Sequence, residues 1–113
     1  MRSKALTRDE VRSMTERDLF RCPEALRQVF ARIAFEPVQW RQSPWGDQNG
    51  GFWVLAVQDD RVLWYNDIED GFQVSRFEHA GTIPDHEYWC NDDPIKWAIP
   101  RLGGPLRHPP SQP

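Results

Sequence analysis

A chain of 113 residues has the length of one ordinary domain, and folding it hides roughly two thirds of the surface the unfolded form exposes, so two independent cores are not expected. With 14 basic and 17 acidic side chains the formal charge is −3, which speaks against nucleic acid as a partner, because holding it relies on neutralising phosphates. No apolar run approaches the roughly 18 residues needed to span a bilayer, the longest being 52–57, so no membrane partner is expected either.

The first third reads as helix. Thr7 and Glu10 have the spacing of a capping box, and Val11 and Met14 follow as a thin apolar stripe. A second helix opens at Pro23, with Ala25, Leu26, Val29, Phe30 and Ile33 recurring on one face at a 3.6-residue period, predicted to lie against a sheet. From Phe35 the period changes to two: Val38, Trp40 and Gln42 alternate with Gln39 and Arg41, as in a strand with one buried face, and Pro37 suits an edge. Residues 43–51 form a loop by composition, read as a mobile connection.

Residues 52–58 are β-forming and apolar without alternation, which predicts a central strand covered on both faces and leaves one face needing a cover other than the helix. Asp59 and Asp60 make a short connection to a strand at 61–66, and the acidic turn 67–71 leads into another at 72–78. The prediction is an α+β fold: N-terminal helices packed on a four- to five-stranded antiparallel meander. A short fifth strand is placed near 81–83 and a further extended piece at 87–90. Asp92, Asp93 and Pro94 then open a short C-terminal helix through Ile95, Trp97, Ala98 and Ile99, with a carboxylate expected to cap it. Residues 1–102 are read as one domain and 103–113, rich in Gly and Pro, as a disordered tail.

Chemistry is harder to place. Cys22 and Cys90 fit no metal-ligand spacing, the N-terminus has no apolar signal core, and a reducing cytoplasm with both thiols free is the expected setting. Cys90 beside Trp89 reads as a buried, inert thiol. His79 and His86 lie seven apart, outside the usual metal motifs, and His108 falls in the tail. Asp67, Glu69 and Asp70 form the densest group of oxygen ligands, yet Asp, Asn and Gly are also what a hairpin turn requires. Paired carboxylates among Asp67, Glu69, Asp70 and Glu87, beside Trp45, Trp64 and Trp89, are the alternative of a small enzyme or divalent-metal domain. No cofactor is expected and the balance leans away from an enzyme.

Six Trp, six Phe and two Tyr exceed what one modest helix covers. Either a closed aromatic core or an interaction surface accounts for them. Tryptophan is enriched at binding hot spots, and most acids lie between 47 and 93, so an acidic, Trp-bearing face made of Trp45, Asp47, Trp64, Asp67, Glu69, Asp70 and Trp89 is the candidate site. It suits a basic protein partner, in the manner of immunity proteins or antitoxins, or a second copy of the chain as a homodimer.

The strings at 43–48 (SPWGDQ), 51–57 (GFWVLAV), 62–72 (VLWYNDIEDGF) and 87–91 (EYWCN) resemble those of a group of small uncharacterised bacterial proteins. The resemblance runs from about the second helix to the last one. It implies a bacterial cytoplasmic setting and carries no activity, ligand or catalytic residue.

Overall fold

The computed structural model describes residues 5–104 and 106. Helix α1 (Arg8–Leu19) starts on the expected capping box: Thr7 Oγ1 accepts from Glu10 N at 3.1 Å, and Glu10 Oε1 accepts from Thr7 N at 2.8 Å. Two otherwise orphaned backbone donors are thereby satisfied. Helix α2 (Glu24–Ile33) follows Pro23, which sits at the N-cap, and its Phe30 is buried, with Leu26, Val29 and Ile33 half-buried beside it and Ala25 exposed. The chain then runs directly into a four-stranded antiparallel sheet in sequential order, β1 (Ala34–Trp40), β2 (Phe52–Gln58), β3 (Arg61–Asn66) and β4 (Gly71–Arg76). A single turn α3 (Ile95–Ala98) continues as a 3-10 turn through Leu102.

The lack of alternation in β2 has a specific cause. Val54 pairs with Trp64 but Ala56 pairs with Leu63, so two steps on β2 match one on β3 and Leu55 is the extra residue of a bulge. Leu55 and Ala56 therefore both join the helix-side core with Leu63, Tyr65, Phe72 and Val74, while Val54 and Val57 serve the opposite core with Trp40, Phe52, Val62 and Trp64. The sheet is covered on both faces. The helices, with α3, close one.

The other face is closed by the irregular segment that follows β4, through Ile83 and Tyr88. Polar side chains of the sheet hold this cover by its backbone. Asn66 Nδ2 donates to Trp89 O at 2.7 Å, Gln73 Nε2 to Asn91 O at 2.6 Å and Ser75 Oγ to Glu87 O at 2.6 Å. Buried polar groups on β3 and β4 thus pair with a segment that has no ladder of its own.

Four expectations need correction. The fifth strand near 81–83 is an isolated parallel bridge between Arg41 and Thr82, because one pair of backbone bonds is all the segment makes before turning onto the sheet face. Val38 is exposed whereas Pro37 is buried, since an irregularity in β1 between Ala34 and Val38 shifts the alternation. Neither Asp92 nor Asp93 caps α3: Ile95 N donates to Asp18 Oδ2 of α1 at 2.7 Å. Cys90 is exposed, Cys22 is the buried thiol, and both are free. The tail from 103 onward falls largely outside the described residues, but Gly104 O accepts from Arg61 and Leu106 is buried in the helix-side core.

Candidate functional site

The site is best built from Gln42, two positions beyond the end of β1. Its side chain is fully buried, and a buried amide must find partners for its donors and acceptor. Here the partners are the backbone of the loop itself: Oε1 accepts from Trp45 N at 3.1 Å and Gly46 N at 2.9 Å, and Nε2 donates to Ser43 O at 3.0 Å. Asp47 Oδ1 accepts from Gln42 N at 3.1 Å, and its Oδ2 lies 3.2 Å from Arg41 Nη2. The loop read from composition as mobile is wound around one glutamine. That winding presents Trp45 on the surface, 47% exposed.

Trp45 is the outer member of a series of tilted rings. Its centroid lies 6.1 Å from that of Tyr88, which lies 5.9 Å from Phe52 and 6.0 Å from Trp64, and Phe52 and Trp64 are 4.6 Å apart. Offset, tilted rings at these distances attract one another and resist displacement. The innermost ring, Trp64, is fully buried, and its Nε1 donates to Ser75 Oγ at 3.0 Å. Trp64 supports the series from below and offers no surface to a partner.

Two acids of the 67–71 turn act on the middle of this series. Burial pushes the Tyr88 phenol above its ordinary value; the Asn66 side chain pulls it down, and Glu69, Cys90 and Asp67 push it further up. Glu69 and Asp67 of the 67–71 turn are thus among the groups that act on the Tyr88 phenol, after burial. Asp67 is buried and Glu69 exposed, so Glu69 carries that charge to the surface. The turn itself is shaped by Asn66, whose Oδ1 accepts from Ile68 N and Glu69 N at 3.0 and 3.2 Å.

The seven candidate residues divide accordingly. Trp45, Trp64, Asp67 and Glu69 gather around Tyr88. Trp89 is half-buried next to it, tied by its carbonyl to Asn66. Asp47 shares the Trp45 loop, but the adjacent Arg41 offsets its charge, leaving Glu69 as the exposed acid beside Tyr88. Asp70 points away: its Oδ1 accepts from Tyr65 OH at 3.2 Å on the helix side, where it lines a cleft of about 380 Å³ with Arg17, Arg21 and Asp92. Adjacent residues of a turn have been sent to opposite faces of the sheet.

The alternative cast is dispersed as well. Glu87 is buried at the far end of β4, where its Oε1 accepts from Arg76 N at 2.9 Å. At about 3.3 Å per residue the length of β4 puts it roughly 16 Å from the acidic turn, beyond the spacing of about 5–9.5 Å that paired catalytic carboxylates use. Among the described residues no group of three or more His, Cys, Asp or Glu side chains is arranged to hold a metal ion. His79 and His86 are exposed, His86 lying 3.5 Å from Asp85, and His108 lies outside the described residues.

Sequence reasoning missed Tyr88 and Gln42. Tyr88 lies in a stretch with neither helical nor strand periodicity, and Gln42 is polar at a position whose burial depends on the loop beyond it. Comparison of the chain with protein-family models, with curated proteins and with solved structures finds no match. Among the described residues no helix is long and apolar enough to cross a membrane.

Proposed function

We propose that this chain is a small protein-binding module that receives a basic protein partner on the face formed by Trp45, Tyr88 and Glu69, after the fashion of immunity proteins and antitoxins. The observation that carries the reading is the half-exposed indole of Trp45, its centroid 6.1 Å from that of Tyr88, beside the turn of the exposed Glu69, which Asn66 ties to the neighbouring Trp89 carbonyl. A lysine or arginine side chain gains on such a surface twice, from the ring faces and from the carboxylates, while the rings give apolar area at little entropic cost. The rigid loop around Gln42 supports the reading too, because a preformed anchor loses less freedom on binding. A bacterial cytoplasmic setting belongs to the same proposal and rests on the resemblance of the loop and strand sequences.

The test is affinity capture from bacterial lysate with three baits: the wild type, Trp45→Ala and Glu69→Lys. Glu69 is exposed and the Trp45 ring is half-exposed, and melting curves of the three baits establish that each is folded. A basic protein held by the wild type, lost at high salt and absent from both variants supports the proposal. Identical captures by all three baits, or a wild type that captures nothing and sediments as a dimer, refute it, the last outcome giving the face to a second copy of the chain.

A further inference from the structure

The cleft into which Asp70 points lies on the helix side of the sheet, apart from the aromatic face, and measures about 380 Å³. That volume is within the range of about 300–1,000 Å³ that small-ligand sites occupy. One wall is the end of α1, with Arg17 in its last turn and Arg21 just beyond it, both exposed. The other carries Asp70 and Asp92, also exposed. These two acids are far apart in sequence and meet through Gly71, which leaves no room for a Cβ against the Asn91 carbonyl and the Asp92 backbone. Phe72 N donates to Asp93 O at 2.9 Å and holds the two segments together. The acidic wall is therefore set by backbone contacts.

The charges in the cleft are not spent on one another. Three of the four acids that line it have partners within the fold: Asp18 Oδ2 accepts from Ile95 N, Asp93 meets Arg101, and Asp70 Oδ1 accepts from Tyr65 OH. Among the described residues Asp92, Arg17 and Arg21 take part in no ion pair. Two cations and two accessible carboxylates thus share a cleft without neutralising each other. An anion entering it is repelled by Asp70 and Asp92, and a cation by the arginines; a molecule with both charges is favoured on both walls.

We infer that this cleft binds a small zwitterion of about dipeptide size, its carboxylate on Arg17 and Arg21 and its ammonium group on Asp92 and Asp70. A guanidinium meets a carboxylate through paired donors, and charge-assisted bonds of this kind are the strong ones. Half-buried Met14 gives the bound molecule an apolar surface between the charged walls.

The experiment follows amide chemical shifts of the full chain in two-dimensional NMR while alanylalanine, its N-acetylated form or its C-terminal amide is added at fixed ionic strength. Saturable shifts at residues 14–21, 70–72 and 91–93 are expected with alanylalanine, at an affinity at least about tenfold above that of either blocked form, each of which has lost one charged contact. The double change Arg17→Gln with Arg21→Gln should bring alanylalanine down to the affinity of its amide. Asp92→Asn should weaken alanylalanine and the amide while leaving the acetylated form as it was. All three positions are exposed, and melting curves of the variants establish that they are folded. The inference is overturned if alanylalanine gives no saturable shift in those segments, if the three forms bind the wild type equally, or if the preference for alanylalanine over its amide survives loss of both arginines.

Discussion

Asp18 Oδ2 accepts a hydrogen bond from Ile95 N at 2.7 Å, so the last turn of α1 caps the first turn of α3 across 77 positions of sequence. A four-residue helix cannot sustain itself, and its orphan donors need a partner from outside. Asp18→Ala should lower stability by about 1 kcal/mol, the usual cost of a lost cap, read as a shift in denaturation midpoint. The Cys22 thiol gives a second readout. Burial raises its pKa and Asp18 raises it further, so Asp18→Ala in a Cys90→Ser background should speed labelling of Cys22.

Ser75 stands between two buried groups, accepting from Trp64 Nε1 and donating to Glu87 O. Ser75→Ala strands both. A loss of about 2–6 kcal/mol is expected, from a penalty of roughly 1–3 kcal/mol for each of the two buried groups left unpaired. Equilibrium unfolding in urea measures it. Exchange of the Tyr88 and Trp89 amides should quicken in the same variant, because the cover over the Trp64 face is held through this serine.

Arg101 Nη1 lies 2.7 Å from Asp93 Oδ2, with both side chains about nine-tenths buried, in an ion pair whose angle falls short of a hydrogen bond. Removing one partner leaves the other charge without compensation. Asp93→Ala should cost about 3–5 kcal/mol, while the double change Asp93→Leu with Arg101→Met should cost far less. A double-mutant cycle on thermal or chemical unfolding separates the two outcomes.

Tyr88 makes stability fall at alkaline pH. Burial chiefly, with help from Glu69, Cys90 and Asp67, raises its folded-state pKa above the ordinary value near 10. The folded chain therefore keeps the phenol proton to higher pH than the unfolded chain does. The resulting stability is complete below the unfolded pKa and is lost as pH rises through the folded one. Phenolate absorbance in a Tyr65→Phe background reports the titration, and Glu69→Gln should move its midpoint downward.

Much of the architecture was legible because it obeys local rules. The spacing of Thr7 and Glu10, the stripe of α2 and the two-residue step at Asp59 and Asp60 each specify their own geometry, and the four-stranded meander follows in order. The site was legible only in part. Trp45, Asp67 and Glu69 do come together, but through Tyr88, whose segment is positioned by Asn66, Gln73 and Ser75 rather than by any periodicity. Trp64 and Asp70 were grouped with them on composition. Strand alternation sends Trp64 into the core beneath Tyr88, and the left-handed backbone of Asp70, with φ of 58°, turns its carboxylate toward Tyr65 on the other side. The trans cap from Asp18 was beyond reach for the same reason: partners 77 positions apart leave no local signature.

Hydrogen–deuterium exchange on the chain bound to the protein it captures bears most directly on the role of the aromatic face. Slowed exchange at 43–49, 66–69 and 85–91, weakened by Glu69→Lys and by salt, is the expected result. Slowed exchange confined to α1 and α2, with those three segments unchanged, would contradict it.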